Sequence, residues 1–212
     1  MQAELIQDPK NFLRIVTIDV ATGATHEFGY LLSTGSGVSD IVAINGHQFL
    51  VDERDGNGLG DGSTAKVKQL FEIDLNGAAD ITDLTGAAAV AAVVKKSLVL
   101  DLVTALNANG IPSDQIPAKI EGLAFGQDID INGIEHTLFV SNDNDFVADV
   151  AGPNQFFVFA FADSDLPGFV QQQFVPEPPS LAILAAGLLG LASVRRLQQR
   201  GRPGAVCYQF GE

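Results

Sequence analysis

The sequence predicts a mainly β fold, organised as about two and a half blades of a β-propeller with a short helical insert and a C-terminal membrane helix. Three observations lead to this prediction. Strand-like segments that end in turn signals recur along residues 1–170, a stretch with helical spacing interrupts them at about 85–118, and an uncharged apolar stretch occupies 181–194. A linker at 171–180 and a basic cytoplasmic tail at 195–212 complete the predicted organisation.

The first predicted element is a strand over 12–20, which runs into the turn residues Ala21-Thr22-Gly23. Segments 68–75 and 154–161 have the same plan, with β-branched and aromatic residues before a turn signal. Such segments are typical of strands that enter a hairpin. Residues 10–32 therefore supply the outer half of one blade.

The second blade is predicted over 37–84. It begins with a hairpin, because segments 38–44 and 47–55 flank the dipeptide Asn45-Gly46. An Asn-Gly dipeptide between two apolar segments is a strong signal for a two-residue hairpin turn.

The third blade is predicted over 119–170. Segments 119–126 and 135–145 form its hairpin with a longer loop, and each hairpin opens near an acid, Asp40 or Glu121. Four antiparallel strands repeated along a chain indicate propeller blades, of which a closed ring needs four to eight.

The insert at about 85–118 separates these two blades. Apolar residues at Leu98, Leu102 and Leu106 are spaced as on one face of a helix over 98–109. Gly110 and Pro112 then supply a stop signal.

Charge and cysteine content limit the classes of function. Residues 1–174 carry 24 acidic against 8 basic side chains, a net charge of −16. Such a surface repels nucleic acid and suits a secreted module or one that collects divalent cations. The only cysteine, Cys207, lies after the apolar segment, so disulfide and thiol chemistry are not expected before it.

The tail contains three elements in order: the triplet Pro176, Glu177 and Pro178, the apolar segment 181–194, and an arginine cluster that begins at Arg195. Fourteen helical residues span about 21 Å, which is short for a permanent anchor. Arginines at the end of the segment favour a cytoplasmic location for the residues beyond it. A buried core helix is the alternative for an apolar segment of this length.

This tail resembles the PEP-CTERM sorting tail of Gram-negative bacteria, with Pro176, Glu177 and Pro178 as the sorting signal. The resemblance implies export, contact with an exosortase in the inner membrane, removal of the tail, and delivery to the cell surface or the extracellular space. The first residues lack a basic region followed by an apolar one, so they are not a secretory signal. Export requires such a signal, so we expect that the chain is the C-terminal part of a longer protein or that its start is misplaced.

Acidic residues at the ends of the predicted strands are the candidates for chemistry. The segments 52–55 and 142–145 occupy matching places in two blades, and Glu121 opens an inner strand. Gathered carboxylates can bind Ca²⁺ or another divalent cation through their oxygens. Solvated loop residues that form local turns are the alternative. The Gly-rich segment 55–62 is likewise either a calcium loop or a flexible connection.

Four short motifs, in the order in which they occur along the chain, resemble the family named for the esterase-like activity of phytase. They occupy 37–41, 49–56, 120–126 and 138–146. The resemblance implies a β-propeller that hydrolyses phosphoesters with the help of a divalent ion. The residues that match the family's acidic motifs are Glu53, Arg54, Glu121, Asp143 and Asn144, with Glu53, Glu121 and Asp143 as the implied metal ligands.

The sequence thus supports three hypotheses. The first is an exported, surface-sorted phosphoesterase in which Arg54 binds a phosphate. The second is a non-catalytic propeller that binds extracellular matrix, polysaccharide or ions at the cell surface. The third is a truncated product without activity.

Overall fold

The computed structural model describes residues 8–172 except 36 and 132. The chain divides into two compact units, Met1–Gln171 and Gln172–Glu212, and all the elements described below belong to the first.

Strands dominate the described part of the chain, as the sequence predicts, and its helices are short. The strands are β1 (Phe12–Ile18), β2 (Thr25–Leu31), β3 (Gly37–Ala43), β4 (Gln48–Arg54), β5 (Lys68–Asp74), β6 (Lys96–Asp101), β7 (Ile120–Phe125), β8 (Ile129–Asp130), β9 (Ile134–Asn142) and β10 (Phe156–Ala162). The helices are α1 (Gly86–Ala91), α2 (Leu102–Ala108) and α3 (Ala148–Ala151).

These strands form three open antiparallel sheets. The first sheet is β1-β2, the second is β3-β4-β5-β6, and the third is β7-β9-β10 with the short β8 also paired to β9. The predicted hairpin pairings β3-β4 and β7-β9 are confirmed. Asn45 explains the first of them, because its Oδ1 accepts the backbone N–H groups of His47 and Gln48 and so closes the turn.

Alternation along β4 separates two apolar cores. Leu50 packs with Leu138 in the core between the second and third sheets, whereas Val51 packs with Tyr30 in the core between the first and second sheets. Successive side chains of a strand point to opposite faces. The same alternation places Glu53 toward the first sheet and Arg54 toward the third.

The segment 85–118 is only partly helical, which corrects the prediction of a helical insert. It contains α1 and α2, but β6 lies between them as the fourth strand of the second sheet. The helix expected over 98–109 begins at Leu102, because Leu98 and Leu100 pair with β5. Asp101 then caps α2 by accepting the N–H of Thr104 at 2.8 Å.

In the part of the chain that the structure describes, we find no helix long and apolar enough to cross a membrane. The predicted sorting signal at 176–178, the apolar segment 181–194 and the basic tail lie outside the described residues.

Candidate functional site

A cavity of about 120 Å³ lies where the end of β4, the start of β7 and the loop after β9 meet. One water needs about 10–15 Å³ on this scale, so the cavity has room for a group of several heavy atoms. The side chains that give it chemical character are Arg54, Lys119, Asn142, Asp143, Asn144 and Asp145.

Arg54 is held in place by both sheets. Its guanidinium donates to the hydroxyl of Ser39, to the backbone carbonyl of Asp55 and to the carboxylate of Glu121 on β7. The side chain of Arg54 is 17% exposed and that of Glu121 is 30% exposed. This ion pair therefore joins the second sheet to the third at the edge of the cavity.

A second hydrogen bond joins the same two sheets. The Oδ2 atom of Asp40 accepts the backbone N–H of Leu123 at 2.6 Å. Both strands are irregular here, with register shifts between Val38 and Asp40 and between Ile120 and Gly122. β7 is also the edge strand of its sheet, so N–H groups that point away from β9 need other acceptors, and Asp40 satisfies one of them.

The loop after β9 is built by local hydrogen bonds from its own polar side chains. Oδ1 of Asp143 accepts the N–H of Asp145, and Oδ1 of Asn144 accepts the N–H of Phe146. Asn144 also donates through Nδ2 to the carbonyl of Gly152 at 3.0 Å. Asp145 and Phe146 have φ values of 51° and 61°, which place them in the left-handed region that residues other than glycine rarely adopt. Asp143 and Asn144 therefore shape this loop as well as line the cavity.

Glu53 is fully buried on the opposite face of the second sheet. Oε1 accepts three backbone N–H groups at 2.7–3.1 Å, those of Ser33, Thr34 and Gly35. Oε2 accepts from Lys96 at 2.6 Å and from the hydroxyl of Tyr30 at 3.0 Å. Its contacts are thus those of a structural anchor between the first and second sheets.

The charge of Glu53 is maintained by these bonds. Burial by itself would raise the pKa of the carboxyl, but the Lys96 ammonium and the backbone N–H groups of Gly35 and Ser33 outweigh burial and lower it below the ordinary 4.5. Burial, together with the same hydroxyl–carboxylate contact, raises the pKa of Tyr30.

Asp52 is also fully buried, and it faces the third sheet. Neither of its carboxylate oxygens has a hydrogen-bond partner among the described residues. Burial raises its pKa to about 7; Arg54 and Lys68 oppose this shift, whereas Asp40 and Glu121 add to it. Asp52 is therefore a buried carboxyl that takes up a proton close to neutral pH.

The Gly-rich segment 55–62 encloses an ammonium group. Nζ of the fully buried Lys68 donates to Oδ1 and the backbone carbonyl of Asp55, at 2.8 and 3.0 Å, and to the carbonyl of Asn57 at 2.9 Å. Burial lowers the pKa of Lys68, and the Asp55 carboxylate offsets only part of that effect. Three oxygens of this segment that could otherwise contact a calcium ion are therefore bonded to Lys68.

The resemblance implies a divalent ion held by Glu53, Glu121 and Asp143. In residues 8–172 outside the two gaps, no three His, Cys, Asp or Glu side chains gather closely enough to hold a metal ion. Both oxygens of Glu53 already accept hydrogen bonds on another face of the sheet, and Glu121 is paired with Arg54. These three side chains therefore do not fit a common metal ligand set.

Four of the five predicted site residues thus belong to one region, although they are far apart in sequence. Arg54, Asp143 and Asn144 line the cavity, Glu121 is bonded to Arg54, and Glu53 lies apart.

The sequence interpretation missed Lys119, and it named Asn142 and Asp52 within the segments 142–145 and 52–55 without giving either a role of its own. Lys119 directly precedes the family motif at 120–126, and Asn142 lies within the motif at 138–146, so the position of both residues was an available signal. Nothing in the sequence indicated that Asp52 would be buried.

Comparison with known families tests the two resemblances. A family model described as "Esterase-like activity of phytase" matches residues 1–146, and a model of the PEP-CTERM protein-sorting motif matches residues 174–196. Neither the curated proteins nor the solved structures gave a match. The sorting motif implies recognition by an exosortase during export, and the combination fits an exported, surface-sorted protein. The first match covers 146 of 212 residues. The chain therefore belongs to the phytase-like family, whose description is "Esterase-like activity of phytase".

Proposed function

We propose that the protein is an exported, surface-sorted phosphoester hydrolase whose substrate places its phosphoryl group in the cavity beside Arg54. One observation carries the proposal. Folding brings Arg54 from the second sheet together with Asp143 and Asn144 from the third, although about 90 residues separate them. The resemblance assigns these residues to the family's motifs, and the description of the matched family supports the reaction class.

The chemistry assigns a different task to each residue. Glu121 and Ser39 orient the Arg54 guanidinium, which is suited to binding phosphate oxygens through paired N–H groups. Oδ1 of Asp143 accepts the Asp145 N–H, so Oδ2 is the oxygen that would act as general base. A water attacks phosphorus as its proton passes to Asp143; the new P–O bond forms as the ester P–O bond breaks, and the alcohol leaves with a proton from solvent.

The larger architecture belongs to the same proposal. Each sheet packs face to face with the next, and β3 contacts β7 across the second and third sheets. We assign the three sheets to consecutive blades of a β-propeller, with β3 and β7 as inner strands. The segment 181–194 is assigned as the membrane helix that holds the chain during exosortase processing at the inner membrane of a Gram-negative cell.

The test is hydrolysis of p-nitrophenyl phosphate by the full chain. We expect Asp143→Asn to lower kcat by about 10²–10⁴, the usual contribution of a general base. Arg54→Lys should raise KM, because an ammonium cannot replace the planar fork of the guanidinium. Asp149→Asn is the matched control, since Asp149 is exposed on α3 and does not line the cavity. Unchanged turnover in both site variants would refute the assignment.

The divalent cation implied by the resemblance is tested separately, with a chelator. Because the described carboxylates do not gather into a ligand set, we expect turnover to persist in chelator. Loss of turnover in chelator and its recovery with Ca²⁺ would show that a metal acts in this site. A wild-type chain that retains binding to matrix polysaccharide but never turns over the ester would favour the non-catalytic alternative.

A further inference from the structure

One residue that lines the cavity carries a hydrogen-bond donor that the hydrolytic mechanism does not use. Asn142 ends β9 and is only 7% exposed. Its Oδ1 accepts the N–H of Gln155 at 2.7 Å, whereas Nδ2 has no partner among the described residues. The contact with Gln155 fixes the orientation of the amide, because an N–H group can bond only to its oxygen. A buried amide N–H₂ without an acceptor costs free energy, so its presence points to a ligand that supplies one.

Lys119 lines the same cavity and has a partner that can be exchanged. Its Nζ is paired with the carboxylate of Asp145, and the two side chains are 43% and 50% exposed. The carboxylate of Asp145 raises the pKa of Lys119, so the ammonium stays charged. Ion pairs this exposed contribute little to stability. A ligand with a higher charge can therefore displace Asp145 from Lys119.

The donors that line the site suit an anion. Two carboxylates line it as well: Asp145 is paired with Lys119, and Asp143 uses Oδ1 for the N–H of Asp145 and offers Oδ2 as the proposed base. Lys119, Arg54 and Nδ2 of Asn142 can only donate, and the acceptor oxygen of Asn142 is already bonded to Gln155. Asp61 also lines the cavity, but its Oδ1 is used by the N–H of Gly58 and by Ser63.

We propose that Asn142 Nδ2 and Lys119 Nζ, together with Arg54, bind a tetrahedral oxyanion, namely the phosphoryl group of a phosphomonoester or inorganic phosphate. In the absence of the ligand, Asp145 occupies the place of that anion on Lys119. The inference deepens the proposed function and rests on it for the identity of the substrate.

Binding of inorganic phosphate to the full chain, measured by titration calorimetry, tests the inference without turnover. Asn142→Asp keeps the oxygen that accepts from Gln155 but replaces the donor by a charge of the wrong sign, so we expect binding at least about tenfold weaker. Asp145→Asn removes the competing carboxylate, and we expect binding to tighten about threefold or more. A gain of affinity cannot arise from damage to the fold.

Asn154→Asp is the matched control. It adds the same charge beside the same loop and keeps the oxygen that accepts the Asn144 N–H, but it does not line the cavity. We expect its phosphate affinity to stay within about twofold of the wild type. Absence of phosphate binding in the wild type, unchanged binding in Asn142→Asp, or weaker binding in Asp145→Asn would each overturn the inference.

The two proposals can fail separately. Phosphate binding that depends on Asn142, without ester turnover, supports the anion site and refutes the hydrolase. Ester turnover that is unaffected by Asn142→Asp supports the hydrolase and overturns the anion site.

Discussion

Replacing Asp52 by asparagine is expected to make the stability of the protein less dependent on pH. Asparagine has the shape of the protonated aspartate and cannot ionise. In the wild type, the carboxyl is buried without a hydrogen-bond partner in the described part of the chain, and burial raises its pKa to about 7. Its ordinary pKa is 3.8.

The magnitude of the effect is set by the two pKa values of Asp52. Below pH 3.8 the carboxyl is neutral in both the folded and the unfolded chain, so it has no effect on stability. Between pH 3.8 and 7 the folded chain keeps a proton that the unfolded chain has lost, and stability falls as pH rises. At about 1.36 kcal/mol for each pH unit, the loss reaches about 4 kcal/mol above pH 7.

The assay is urea unfolding of the wild type and of Asp52→Asn at pH 5 and pH 8. We expect the variant to gain stability relative to the wild type as pH rises, and about 2–3 kcal/mol of the total of about 4 kcal/mol should appear between these two pH values. Asp114→Asn, at an exposed position, is the control for a general effect of charge. An equal change in the unfolding free energy of Asp52→Asn at both pH values would refute the reasoning, because it would mean that the buried carboxyl does not titrate.

Three further predictions concern the structure around the site. Lys68→Met should lower the unfolding free energy by about 3–5 kcal/mol in urea titrations, since it leaves a buried carboxylate unpaired, whereas the exposed Lys66→Met should change it little. Burial opposes the charge of His136, but Asp128 and Asp163 on its two ring nitrogens raise its pKa above 6.5. Protonated His136 therefore stabilises the fold fully below pH 6.5, and this stabilisation is lost as pH rises through the pKa of the folded state. An NMR titration that places the pKa of His136 below 6.5 would contradict this. Gly58→Ala should cost at least about 1–3 kcal/mol by thermal unfolding, because φ is +140° and the new Cβ would lie 2.5 Å from the Ile116 carbonyl. Gly46→Ala, with open space around it, is its control.

The strands and their hairpins could be predicted because their signals are local. Alternating apolar residues and the Asn45-Gly46 turn predict β3 and β4 without knowledge of the elements that pack on them. The helix predicted over 98–109 failed at its first turn for the opposite reason. Leu98 is spaced from Leu102 as on a helix and from Leu100 as on a strand, and pairing with the edge of β5 decides for the strand.

The candidate site was predicted in part. Glu53 and Arg54 are neighbours in the sequence and were assigned to the same chemistry. The alternation of a strand places them on opposite faces, so Glu53 anchors the first sheet while Arg54 reaches the cavity. The two-residue period of a strand already implies that Glu53 and Arg54 point to opposite faces. The packing of the third sheet decides which of these faces carries the site.

By itself, the sequence determined the strand segments, the acidic character of residues 1–174, the sorting tail and the family, because each is carried by short stretches of neighbouring residues. Only the tertiary structure decided that Arg54 meets Glu121, that Lys119 and Asn142 share a cavity with Asp143, and that Asp52 is buried without a partner in the described part of the chain. Burial and convergence are properties of surfaces brought together from distant parts of the chain, and side-chain chemistry depends on them as much as on residue type.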